Sequence, residues 1–448
     1  MAKLAYLFPA FPVFHQTFVL WEVLGLRRNG VQPTIYSLRR GTAQQQPEGE
    51  QIAREVVYLP PLLSAAVLRA NWRLLRMDAR RYVRLYLEVC KAWRTGAIAP
   101  VRASGWERRP VTFYDRCRGW FNRQPYLYLL KSLLLVPRAV DLAERLTAEG
   151  ITHLHVHWAT YPATAAYVVH LIAALPFSIS AHAYDIYMIP RMLPAKIRAA
   201  RFLVTCAKTN AAFLRQLAGA ELADKVIVNY HGVDVARFAP AAAAEPTDGR
   251  LAIVSCGQLE RYKGMHILID ACAELRARGT ALECWIVGEG PRRAQLQNQI
   301  DRLGLSNDVH LTGARPHAEV AALLRRADVF ALSSELGGNS GRRDVIANVI
   351  VEAMAAGLPV VASRIPGVEE LVEDGVSGCL VRPNRADELA TAIQRLANHP
   401  EDRARFGQAG RRRILQEFDS SKNVRVLAQL LTAAPDADAF ERWAVSAN

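Results

Sequence analysis

The stretch Ala327-Asp328-Val329-Phe330-Ala331-Leu332-Ser333, followed after a polar loop by Asp344-Val345-Ile346-Ala347-Asn348-Val349-Ile350-Val351-Glu352 and then by Gly357-Leu358-Pro359-Val360-Val361-Ala362-Ser363, decides the fold. The two apolar runs are short and rich in Val and Ala, as strands buried on both faces are. Between them lie a Gly-containing loop and a helical stretch that stops at Gly357 and Pro359. Strand, loop, helix, strand is the repeating unit of a parallel α/β sheet. Asp344 and Glu352 stand eight residues apart, one just before the helix and one about two turns along, roughly 12 Å apart on a similar side. A long polar ligand could span them. A Gly-rich loop that opens into a helix N-terminus also offers N–H groups and a positive dipole end to anionic groups. The same pattern fits an Asp344 that only caps the helix and a Glu352 that is solvated.

Working outward, the unit recurs. Residues 4–8 read as a first buried strand, residues 9–16 as a loop containing His15, residues 17–27 as a helix and residues 31–37 as a second strand. His153, His155 and His157 alternate along a strand and point to one face. Three histidines on one strand are weak evidence for a metal and fit a sheet-end or cleft-facing role better. A further strand ends at Ala181 and delivers His182 and Asp185 to the edge where an open α/β sheet places its ligand crevice. Residues 240–249 are Ala-rich and lose all periodicity, which marks an interdomain linker.

Beyond the linker, a strand over 251–256 meets the loop Gly257-Gln258-Leu259-Glu260-Arg261-Tyr262-Lys263-Gly264 and a helix over 265–276. A glycine loop and a lysine at a helix N-terminus suit a diphosphate. Gly288 and Gly290 follow the next strand and fit a tight turn as well as a ligand contact. The final elements are a strand at 380–381 and two helices, from Ala386 and from Ser421.

At 448 residues, with 51% apolar and 22% charged side chains, the chain is globular and long enough for two or three domains. Seven cysteines without a CxxC pair or metal-ligand spacing fit reduced thiols in a cytoplasmic chain. Pro9 interrupts the first apolar run, so no signal peptide or anchor is expected, and no run reaches about eighteen apolar residues.

The formal net charge is +14. Residues 61–131 hold fifteen Lys and Arg against four Asp and Glu, a net +11. From about 60 to 138 the α/β rhythm gives way to long helical runs over 62–90 and 126–146, with a break expected at Pro137. Arg69, Arg73, Arg76, Arg80, Arg81 and Arg84 alternate with Leu68, Trp72, Leu75, Val83, Leu85 and Leu87 at helical spacing. Two readings stand: an interfacial helix on anionic lipid, or a surface helix packed on the first domain.

Several of these segments resemble retaining, sugar-nucleotide-dependent GT-B enzymes of the "glycosyltransferase group 1" family. In motifs they are closest to bacterial exopolysaccharide enzymes of the colanic-acid type. Asp344-x-x-x-Asn348-x-x-x-Glu352 is similar to the family's acid-x7-acid motif, with Asp where Glu is more usual. The likeness covers residues 150–430 well and the first thirty modestly; the basic insert matches only in character.

The resemblance implies two doubly wound Rossmann-like domains facing a cleft. The acceptor-side domain would span 1–240 with the helical basic insert in it, the donor domain 250–420, and residues 421–448 would form a helix crossing back. It implies His182, Asp344 and Lys263 at the reaction centre. Donor contacts would come from Gly257, Gln258, Arg261, Lys263, Gly288, Asn348 and Glu352. Gln258 stands where the family has Arg, which leaves Arg261 as a substitute. His15, His157 and Asp185 would lie on the acceptor side. The implied reaction moves a hexose from a nucleotide diphosphate sugar, with retention, to a glycan or lipid-linked saccharide, with no metal or other cofactor. The leaving phosphate would assist acceptor deprotonation. A cytoplasmic location, peripheral on an anionic membrane, and no nucleic-acid partner complete the expectation. The alternatives are a same-fold sugar-nucleotide epimerase or phosphorylase and a non-catalytic basic protein that binds membrane or RNA.

Overall fold

The computed structural model describes residues 3–14, 16–42, 46–95, 125–187, 190–240, 249–335 and 345–433. They form two units: residues up to Asn229 together with those from Val424 onward, and residues from Tyr230 to Asn423.

In the first unit the strands are β1 Leu4–Phe8, β2 Thr34–Ser37, β3 Val57–Tyr58, β4 His153–His157, β5 Phe177–Ala181, β6 Leu203–Thr205 and β7 Val226–Val228. They pair in parallel in the order β3-β2-β1-β4-β5-β6-β7. Alternation along β1 sends Ala5 and Leu7 into one apolar cluster and Leu4, Tyr6 and Phe8 into another. Both faces are therefore covered, as a parallel sheet requires. Chain order reverses between β1 and β4, so the carboxyl ends of these two strands flank the opening where such sheets bind ligands.

The second unit repeats the plan with β8 Leu251–Cys256, β9 Leu282–Val287, β10 Val309–Gly313, β11 Val329–Leu332, β12 Val360–Ser363 and β13 Gly378–Val381. Their order is β10-β9-β8-β11-β12-β13, all parallel, and the reversal falls between β8 and β11. The apolar run 329–332 is thus a central strand beside the switch point.

Four expectations shift. The boundary expected near 240 falls at Tyr230, because Phe238 is buried in the second unit's core and Val233 N–H donates to the Phe418 carbonyl at 2.8 Å. The linker expected over 240–249 lies mostly outside the described residues. The helical run 62–90 is two helices, Ala65–Met77 and Ala79–Arg94, because Asp78 caps the second by accepting from Arg81 N–H at 2.8 Å. Pro137 does not break the helix Pro125–Ala148. Val136, Ala139, Val140 and Ala143 are buried around it, and Asn71 Nδ2 donates to the Pro137 carbonyl at 2.9 Å, so packing outweighs the lost hydrogen bond. At the far end three helices stand where two were expected: Ala386–Asn398, Pro400–Glu417 and Ser420–Thr432. Pro400 occupies the first turn of the middle one, where proline is tolerated.

No helix among the described residues is long and apolar enough to cross a membrane.

Candidate active site

In the second unit the loops after β8, β9 and β11 are pressed together at the switch point. A Cβ on Gly288 would stand 1.9 Å from the Gly257 carbonyl oxygen, and one on Gly264 would stand 1.8 Å from that of Ser333. Gly264 also has φ +66°, so only glycine fits at this start of the helix Met265–Ala277. Ser333 Oγ donates to the Gly264 carbonyl at 2.6 Å and Glu335 N–H to the Tyr262 carbonyl at 2.7 Å, which fixes the Lys263 loop against the end of β11.

Lys263 is buried, its stem lying along Gly257. Glu352 is also buried, in the helix Asn348–Ala355, and its Oε1 accepts from His317 Nε2 at 2.8 Å. The Cys256 thiol records both charges. Burial pushes it up to about 12, with the Glu352 carboxylate adding to the rise and the Lys263 ammonium opposing it. Lys263 follows β8 and Glu352 lies in the helix after β11, so a buried cation and a buried carboxylate sit beyond the carboxyl ends of two adjacent strands. Arg261 leans toward Glu335, with Nε 3.6 Å from Oε2, and His266 Nε2 lies 3.2 Å from Glu335 Oε1. Burial raises the Glu335 carboxyl, but the His266 ring and the Arg261 guanidinium beside it outweigh burial and hold the group below the usual range. Part of the Arg261 charge is therefore offset within the protein.

In the first unit His182 follows β5. Its ring stacks on His157 with centroids 5.3 Å apart and meets Trp158 at 4.8 Å and Phe18 at 5.2 Å. His157 Nδ1 lies 3.2 Å from His182 Nε2, and His157 Nε2 lies 2.8 Å from Glu22 Oε1. Tyr6 donates to the same Glu22 oxygen at 3.1 Å; burial and the Glu22 carboxylate raise the phenol, so it stays protonated. Trp158, between His157 and the next helix, has φ +71°, a strained conformation for a bulky residue.

Asp185 is buried and accepts from the N–H groups of Ala159, His182 and Ala183 at 2.8, 3.1 and 2.9 Å. Lys196, wholly buried, donates to the Ala159 and Thr160 carbonyls at 2.7 and 2.9 Å and to the Tyr128 hydroxyl at 3.0 Å. Asp185 and Lys196 thereby pin the two backbone turns that carry His157 and His182. His153 and His155 bond Ser178 and Ser180 instead, at 2.7–2.9 Å. Glu22, His155 and His157 are close enough to hold an ion, but both His155 nitrogens and His157 Nε2 are committed to these hydrogen bonds.

Of the residues expected in the site, the structure brings Gly257, Lys263, Gly288 and Glu352 to one switch point, with Arg261 beside them; Gln258 and Asn348 lie in the same loop and at the start of the same helix. His182 stands at the other switch point. His157 and Asp185 are buried beneath it as its supports. Asp344 and His15 lie outside the described residues. The helix begins at Asn348 with Ala347 at its N-cap position, and Glu352 is not solvated. Sequence reasoning missed Glu22, Tyr6, Lys196, His317 and Glu335. A buried lysine has no sequence signature, whereas His317, directly after Arg315-Pro316 at a helix start, had a local one.

Two doubly wound parallel units define the GT-B glycosyltransferase fold. Within it, residues 241–413 match the family Glycosyl transferases group 1. Over 211 residues the chain is 36% identical to WcaL of Escherichia coli, a protein named for colanic acid biosynthesis, covering 47% of this chain and 52% of that one. It is 34% identical over 209 residues to the amylovoran biosynthesis glycosyltransferase AmsK of Erwinia amylovora, covering 47% and 51%. The chain thus spans about half the length of these curated relatives. HepE of Anabaena, solved with UDP and glucose, shares the fold with a TM-score of 0.66 at 20% identity, over 97% of this chain and 100% of that one.

Proposed function

We propose that the chain is a retaining glycosyltransferase that moves a hexose from a nucleotide diphosphate sugar to a hydroxyl of a growing, lipid-linked exopolysaccharide. The observation that carries the reading is a buried lysine, Lys263, just before the N-terminus of the helix Met265–Ala277 after β8, and a buried carboxylate, Glu352, in the helix after the neighbouring strand β11. Bond cleavage leaves negative charge on the diphosphate; Lys263, loop N–H groups and the helix dipole oppose it. Glu352 accepts from ribose hydroxyls through the carboxylate that His317 orients. In this reading no metal takes part. The likeness to AmsK and WcaL supports the exopolysaccharide setting, and the UDP complexes of HepE support a nucleotide ligand.

The test is acceptor-dependent release of nucleotide from UDP, GDP and ADP sugars, run with and without a chelator. Release that needs an acceptor and survives chelation agrees with the reading. Isomerised donor in the absence of acceptor would give the fold to an epimerase, and loss of turnover on chelation would return a metal to the mechanism.

A further inference from the structure

Among the described residues thirteen large hydrophobic side chains are exposed, and ten of them fall between Leu63 and Leu134, in the three helices of the basic insert and its edge. Such concentration on one segment departs from the scattered exposure of ordinary surfaces. The side chains form stripes. Leu68, Trp72 and Leu75 follow i, i+4, i+7 on the helix Ala65–Met77, and Tyr126, Leu130 and Leu134 follow i, i+4, i+8 on the helix Pro125–Ala148. Trp72 is 59% exposed, Leu130 52% and Leu134 50%, so they stand out from the surface. The opposite faces are already used: Val67 and Ala70 on the first helix and Tyr128 and Leu135 on the second are buried.

The same segment carries positive charge. The helices Ala65–Met77 and Ala79–Arg94 carry eight Lys and Arg against Asp78 and Glu88. Arg73 pairs with Glu144, but Arg69, Arg80 and Arg84 make no ion pair among the described residues. The Arg76 guanidinium lies over the Trp72 ring, 6.0 Å from its centroid.

We propose that this face docks on an anionic lipid bilayer, with Trp72 and the leucines entering the headgroup boundary and the arginines meeting lipid phosphates. Protruding apolar side chains rimmed by arginine suit a fluid anionic surface, where arginine stems lie along the apolar layer and the heads stay wet. The proposal is independent of the transfer reaction.

The full chain is to be floated with vesicles of phosphatidylcholine alone and of phosphatidylcholine mixed with phosphatidylglycerol, at low and high salt. Binding is expected only to the anionic vesicles, weakening with salt, and falling about fivefold for each of Arg69→Ala, Arg80→Ala and Arg84→Ala. Trp72→Ser should also weaken it without change in melting temperature, because the side chain is exposed. Equal binding to both vesicle types, or variants that bind as the parent does, would overturn the proposal. Self-association abolished by the same substitutions would overturn it too, giving the face to a second copy.

Discussion

His157 holds His182 through Nδ1 at 3.2 Å while its Nε2 bonds Glu22 at 2.8 Å. A carboxylate only accepts, so His157 Nε2 carries a proton; when that is the ring's single proton, Nδ1 accepts and the bond to His182 is donated by His182 Nε2–H. A single carboxylate oxygen thereby sets the tautomers of two rings in series. Glu22→Gln keeps an acceptor at Oε1 for both Tyr6 and His157, and stability should fall by about 1 kcal/mol. Glu22→Ala leaves two buried donors without an acceptor and should cost about 4 kcal/mol, at about 1–3 kcal/mol each. Urea unfolding of both variants checks this; equal losses would show that the chain of bonds is not what Glu22 contributes.

The other two histidines of β4 govern acid stability. Burial, helped by the nearby Arg201 charge, pulls His153 down to about 3, and burial with the neighbouring histidines pulls His155 well below its ordinary value. The unfolded chain therefore binds protons that the folded chain refuses. Their contribution is fully present above the unfolded value near 6.5 and is lost as pH falls below it, at about 1.4 kcal/mol per pH unit for His153, with His155 adding in the same direction. Urea midpoints should drop between about pH 7 and pH 5, and His153→Gln should shallow the slope. A flat profile in the parent chain would contradict the burial argument.

Strands β1, β8 and β11 were legible because a parallel strand buried on both faces must be a short apolar run, and the Lys263 loop and Glu352 because their signals lie within a few residues. The break forecast at Pro137 failed because a local rule met tertiary packing: Asn71, 66 residues away, holds the Pro137 carbonyl. Glu22 lies 135 residues from His157, and His317 lies 35 from Glu352. Periodicity and spacing carry no information about such pairs. The alternating histidines showed their shared face in sequence, but not that β5 would answer two of them with serines.

Lys263→Ala removes a buried cation from the loop after β8 and should weaken UDP or GDP binding about ten- to a hundredfold, the range of a charge-assisted hydrogen bond. Glu352→Gln retains the volume but loses the charge and should weaken it about tenfold. Titration calorimetry on both variants, with melting temperatures to confirm folding, reads this out. Parent-like affinity in both would remove the second unit's switch point as the nucleotide site.

His317 offers the sharper test, because its Nε2 is already committed to Glu352. Its Nε2–H holds Glu352 Oε1 at 2.8 Å, and its ring meets Phe238 edge-on at 5.0 Å. His317→Phe keeps a ring against Phe238 and deletes the hydrogen bond, so Glu352 regains side-chain freedom that binding must then remove, at about 0.5–1.5 kcal/mol. Nucleotide affinity should fall up to about tenfold. The loss should be absent when Glu352→Gln is already present, since an amide is less firmly held by His317 and the two changes then share one path. A loss of the same size in both backgrounds would mean that His317 meets the nucleotide itself.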